Sequence, residues 1–178
     1  MQIIKNRQII DSPWLLEPDQ LDSEPGLDQP HRVPSVEDES RPRLVSVRHW
    51  LEIRNPINGQ HGNGPGKRHS DHLGIYLDAD DSVSSIAEYL DSIPVIAIIF
   101  GSFTEGRGYS QAVELRQQHH YQGEIRAIGA AVDNLSLMER CGINAFQLTA
   151  DDPERDLEHD LKQALSFFTE IDTVYPYN

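Results

Sequence analysis

The feature that most constrains the fold is the run Pro94-Val95-Ile96-Ala97-Ile98-Ile99-Phe100, closed by Gly101-Ser102-Phe103-Thr104-Glu105-Gly106-Arg107-Gly108. A short, uninterrupted apolar stretch rich in β-branched residues predicts a strand buried on both faces, the kind that parallel α/β sheets use. The amphipathic run Arg107–Gln118 predicts a helix with Ala112, Val113 and Leu115 facing inward. The pattern then repeats. Glu124–Gly129 and Ala145–Leu148 predict strands, and Asp133–Cys141 predicts a helix between them that Gly142 ends as a left-handed cap. Upstream, Leu73–Leu77 predicts a strand, and Val83–Leu90 predicts a helix capped through Ser82, Asp80 or Asp81. The core begins near Leu44–Val47, and a short helix over Val47–Asn55 stops at Pro56. A last helix runs over Pro153–Thr169, with Leu157, Leu161, Leu165 and Phe168 at helical spacing.

This alternation predicts an α/β domain: a parallel sheet with right-handed crossovers and helices on both faces. An open flavodoxin-like sandwich is the expected arrangement. A partial β/α barrel is the alternative, because element order alone does not separate the two.

The amino-terminal third reads differently. Gln2–Ile10 is two short apolar runs around a polar tip, which predicts a hairpin or two edge strands. From Asp11 to Pro42, six prolines interrupt every element and carboxylates crowd between them, which predicts an extended, solvated segment. Trp14, Leu15 and Leu16 are its apolar exception, expected to anchor on the core rather than serve as a partner hook. The expected division is therefore 1–42 for hairpin and extended segment, 43–172 for the α/β domain and 173–178 for a tail.

Charge excludes some partners. The 178 residues carry a formal net charge of −14, with a pI near 4.8 and a mean hydropathy of −0.52. So acidic a chain repels nucleic acid and anionic membrane surfaces, and favours docking on a basic protein surface. No apolar run approaches bilayer length, residues 1–5 lack signal-peptide order, and a single cysteine, Cys141, forms no internal disulfide. These features together predict a cytoplasmic protein.

Several tempting motifs fail on spacing. In Gly59-Gln60-His61-Gly62-Asn63-Gly64-Pro65-Gly66-Lys67-Arg68, the phosphate-binding loop would need glycine where His61 stands and Ser or Thr where Arg68 stands. His61, His69 and His72 with Asp71 lack a matching second ligand cluster, so no metal is expected. Asp78-Ala79-Asp80-Asp81 suits helix capping better than a divalent cation.

The candidate site is the loop after the central strand. Arg107 begins a helix there, and helix starts offer unpaired N–H groups to which Arg adds a fork of donors. Gly106 and Gly108 would admit a ligand close to the backbone, and Thr104, Tyr109 and Ser110 line the same turn. Such a pocket suits a small anion: sulfite, sulfate, phosphate or a carboxylate. The competing use of Arg107 is an internal pair with Glu105 or Asp78. Arg126 stands inside a strand, where a lone charge is costly, with Glu114 and Glu124 as its candidate partners. Asp78 and Arg126 are possible additional contacts of the site.

Three stretches carry a resemblance: Phe103-Thr104-Glu105-Gly106-Arg107-Gly108-Tyr109-Ser110, Tyr121-Gln122-Gly123-Glu124-Ile125-Arg126-Ala127-Ile128-Gly129 and Arg140-Cys141-Gly142-Ile143-Asn144-Ala145-Phe146-Gln147-Leu148. With them the chain resembles a bacterial family of unknown function assigned to sulfite reduction as an oxidoreductase. Its members are typically encoded beside the assimilatory sulfite reductase haemoprotein. The chain departs from that family's pattern at Glu105 and Ala130, where the family has Asp, and at Asn134-Leu135, where it has a more polar helix start.

The resemblance implies a pathway rather than a mechanism. No dinucleotide fingerprint follows a strand, and no cysteine set exists for an iron–sulfur cluster or a dithiol. Two readings stand. In one, the protein is a non-catalytic partner of the sulfite reductase haemoprotein with an anion-binding loop. In the other, it is an oxidoreductase using a flavin or nicotinamide without a short motif.

Overall fold

The computed structural model describes residues 1–17, 41–54, 72–101, 106–148, 159, 161–166 and 168. The expectations for the Pro- and acid-rich segment past residue 17, the glycine loop with His61 and His69, and the tail lie outside the described residues.

Eight strands of the described residues form one sheet: β1 (Gln2–Lys5), β2 (Gln8–Asp11), β3 (Leu15–Leu16), β4 (Arg43–Ser46), β5 (Leu73–Leu77), β6 (Val95–Ile99), β7 (Glu124–Ala130) and β8 (Ala145–Leu148). Their spatial order is β2-β1-β8-β7-β6-β5-β4-β3, and the sheet curls into a half-barrel. From β3 to β8 every neighbouring pair is parallel. The hairpin β1–β2 completes one edge, with β1 antiparallel to β8. Asn6 and Arg7 at its tip both have positive φ, at 49° and 61°, the geometry of a two-residue turn that follows strand twist.

The sequence reading of a mostly parallel α/β sheet holds, while two finer expectations do not. A flavodoxin-like sheet reverses its strand order at a switch point. Here the order runs straight from β3 to β8, which is the alternative, partial-barrel arrangement. Right-handed crossovers between strands laid down in one direction place every connecting helix on the same side. Helices on both faces were expected; the described helices cover one.

The large core shows that side. α1 (Val47–Arg54) contributes Val47 and Trp50, and the 3₁₀ helix Val83–Ser92 contributes Val83, Ile86 and Leu90. α2 (Arg107–Val113) and the π-helical turns Glu114–Gln118 add Ala112 and Leu115, while α3 (Leu135–Arg140) adds Leu135 and Met138. Leu161, Ala164 and Phe168 come from the helical residues near the carboxyl end. All meet Val45, Ile75, Leu77, Ile96, Ile98, Ile125, Ala127, Phe146 and Leu148 of the strands. The opposite, concave face carries a smaller cluster of Leu44, Tyr76, Val95, Ala97 and Ile128, flanked by Trp14, Leu16 and Ile99. Trp14 therefore packs within its own chain, against Gly74.

Two local expectations also change. Ser82 stands at the start of the 3₁₀ helix in extended conformation but makes no side-chain cap. Its carbonyl instead accepts the Ser85 N–H and hydroxyl, and the Asp81 carboxylate accepts the N–H of Asp78 at 2.8 Å. The helix from Arg107 widens into π geometry at Glu114, so that Tyr121 N–H reaches Leu115 O at 2.9 Å.

Candidate functional site

Strand β6 is central in the sheet, so the loop after it opens at the carboxyl ends of the parallel strands. In a straight strand order no switch-point crevice exists there. What remains is the rim of the half-barrel, the end at which closed β/α barrels place their sites.

Three segments meet on that rim: Asp78–Ser82 after β5, Phe100-Gly101 after β6 and the start of α2. Arg107 is the first residue of α2 and forms an ion pair through Nη1 with Asp80 Oδ1. The expected internal partners were Glu105 or Asp78; the observed one is Asp80. Both side chains are open to solvent, Arg107 at 63% and Asp80 at 95% exposure. Pairs this exposed contribute about 0–1 kcal/mol, so the guanidinium is held in place without being consumed. Gln111, one turn along α2, is buried and ties the two segments together. Its Nε2 donates to Asp78 O at 2.8 Å and Asp81 O at 2.9 Å, and its buried Oε1 has no hydrogen-bond partner among the described residues. Sequence reading missed Gln111; its polar type on the inward stripe Gly108, Gln111, Ala112, Leu115 was the available signal.

The remaining loop residues take different places. Gly106 has ordinary helical φ and ψ, and a Cβ on it would meet nothing within 4 Å. Gly108 is buried: a Cβ there would come within 2.8 Å of the Phe100 ring and 3.0 Å of Ile98, so this glycine lets α2 sit close on β6. Tyr109 packs edge-on against Phe100, ring centroids 5.3 Å apart, and burial followed by the nearby Cys141 raises its phenol. Ser110 is exposed, and Thr104 lies outside the described residues. Arg126 is not brought to this rim. It stands opposite Ala97, the middle residue of β6, and its Nε and Nη2 donate to Glu124 Oε1 at 2.8 and 2.6 Å. No group of three or more His, Cys, Asp or Glu arranged for a metal occurs among the described residues. No helix among them is long and apolar enough to cross a membrane.

Residues 74–175 match the family described as "Bacterial protein of unknown function (DUF934)". The chain belongs to that family. No curated protein and no solved structure matches it. The DUF934 region begins within β5 and takes in the rim described above, whereas the hairpin, β3, β4 and α1 lie outside it.

Much of what made the sequence resemble a family is architectural. Arg116 donates through Nε to Gly142 O at 2.9 Å and through Nη1 to Gly123 O at 3.0 Å and to Tyr121 O. It also lies over the Tyr121 ring, 5.6 Å from its centroid and within the roughly 6 Å reach of such contacts. Tyr121 in turn donates its hydroxyl to Ile93 O at 2.8 Å. Tyr121, Gly123 and Gly142 thus converge on one guanidinium that sequence reading did not single out.

Proposed function

We propose that this DUF934 protein is a non-catalytic accessory protein of assimilatory sulfite reduction, which binds a small oxyanion at the rim loop and docks on the sulfite reductase haemoprotein. The observation that carries the anion site is the solvent-open Arg107 at the start of α2, braced by Asp80 alone among the described residues. An entering oxyanion exchanges one weak, exposed partner for a stronger one, and the open space over Gly106 leaves its approach to the backbone clear. The pathway rests on the resemblance carried by the loop, the Tyr121–Gly129 stretch and the Arg140–Leu148 stretch. The non-catalytic reading is supported by Ala130, which is apolar and buried where the resembled family carries Asp.

The test is anion-dependent thermal stabilisation of wild type, Arg107→Ala and Arg107→Lys with sulfite, sulfate and phosphate. Hydrogen bonds to charged groups contribute roughly 1.5–3 kcal/mol. Arg107→Ala is therefore expected to abolish the shift and Arg107→Lys to restore it in part. Equal shifts in all three proteins would remove Arg107 from the site. Co-purification at native expression, with mass identification of the haemoprotein, tests the partner. A purified protein with flavin absorbance would overturn the non-catalytic reading in favour of an oxidoreductase.

A further inference from the structure

The concave face of the half-barrel carries a charged cluster that the rim loop does not use. Arg126 is the largest of the fully buried side chains among the described residues, 1% exposed. Glu124, two residues earlier on the same strand face, receives its Nε and Nη2 on Oε1 and takes Lys5 Nζ on Oε2 at 2.7 Å. Two cations thus share one carboxylate, leaving one positive charge unmatched among the described residues. Arg126 Nη1, buried, has no hydrogen-bond partner among the described residues.

The sheet register shows how these residues come together. One rung across the sheet reads Lys5, Ala145, Arg126, Ala97, Tyr76 and Ser46. Alanine stands opposite Arg126 on both neighbouring strands, so neither directly paired side chain offers it an acceptor. Guanidinium groups keep their charge in protein interiors, and a buried donor without an acceptor is costly. A water molecule would satisfy the donor but not the charge. An oxygen acceptor bearing one negative charge satisfies both.

We infer that the concave face binds a carboxylate or small oxyanion through Arg126 Nη1, with Lys5 supplying the balancing charge from its half-open position. This site is separate from the rim loop and does not depend on it. Arg126 fixes the ligand's oxygen, while Glu124 holds the guanidinium and Lys5 in register as a positioning residue.

The experiment is run on Arg107→Ala protein, so that the rim loop contributes nothing. Acetate and inorganic phosphate are titrated against chloride at constant ionic strength, and the melting temperature is followed. The expected result is saturable stabilisation by at least one of the two anions. Lys5→Gln, which leaves a neutral Arg126–Glu124 pair, is expected to shift the midpoint to roughly tenfold higher anion concentration or more. Adding Glu124→Gln together with Arg126→Met is expected to abolish the response while sparing the protein an unpaired buried charge. Should that combination not fold, Lys5→Gln alone decides. No response beyond chloride, or the same midpoint in Lys5→Gln, overturns the inference.

Discussion

Gly129 and Gly106 make opposite demands. Gly129 has φ +83°, sits at the register shift between Ile128 and Ala130, and a Cβ on it would come within 2.5 Å of Phe100 O. Gly129→Ala meets both a disfavoured backbone region and a backbone atom that cannot move away. Gly106→Ala meets neither. We expect the first to cost about 2 kcal/mol or more and the second to stay within about 0.5 kcal/mol of wild type in urea unfolding. A second residue-scale prediction concerns pH. Burial raises the Tyr121 phenol far above its ordinary value, outweighing Arg116, which lowers it. In the unfolded chain this phenol releases its proton near pH 10, while in the folded chain it keeps it, so the unfolded state binds fewer protons above that pH. Stability therefore falls as pH rises past about 10. Tyr121→Phe, which loses the bond to Ile93 O, should be about 1 kcal/mol less stable at pH 7 yet show a shallower alkaline decline. Cys141 behaves consistently with a packed thiol: burial raises it, with Arg140 pulling the other way, so native alkylation should be slow beside that of the unfolded chain.

At the scale of elements, the α2–β7 connection depends on one side chain. Arg116→Leu would leave the carbonyls of Gly142, Tyr121 and Gly123 without their donor, and we expect it to cost roughly 3 kcal/mol in urea unfolding. The strands and helices from β4 to β8 were legible because their apolar runs and periodicities reflect burial, which depends on local pattern. The Gly142 cap was legible for the same kind of reason: its φ of +98° is a local demand, and Ile143 N–H closes on Met138 O at 3.1 Å. The β1–β2 hairpin was legible from its two apolar runs, but the positive φ of Arg7 at its tip was not, because Arg is a poor choice for that geometry. What holds Arg7 there comes from far along the chain, in paired bonds of 2.9 Å to Glu139 and a position over the Phe168 ring. The site divides likewise. Glu124 was a foreseeable partner of Arg126, since residues two apart on a strand share a face. Lys5 and the Asp80 partner of Arg107 depend on which strands become neighbours, and no local pattern encodes that.

For the whole molecule, the net charge of −14 makes association with a basic partner a matter of long-range attraction as well as fit. Exposed charges are screened over about 8 Å at physiological salt. The association rate with such a basic partner should therefore fall as salt is raised, as stopped-flow or surface-based kinetics would register; a rate indifferent to salt would show that the acidic surface is not the contact. The straight strand order has a different consequence, for the order of assembly. Between β3 and β8 each strand pairs with the strand next to it in sequence, so these contacts can form progressively as the chain lengthens. The β1–β8 clasp is the exception, joining Ile4 to Phe146 and Lys5 to Ala145. Joining such distant segments closes a long loop, which is slow and entropically costly. The amino-terminal hairpin, though synthesised first, must wait for β8, the last of the described strands, before it can dock. In pulse-labelled hydrogen exchange during refolding, the amides of β1 that face β8 should gain protection after those of β6 and β7.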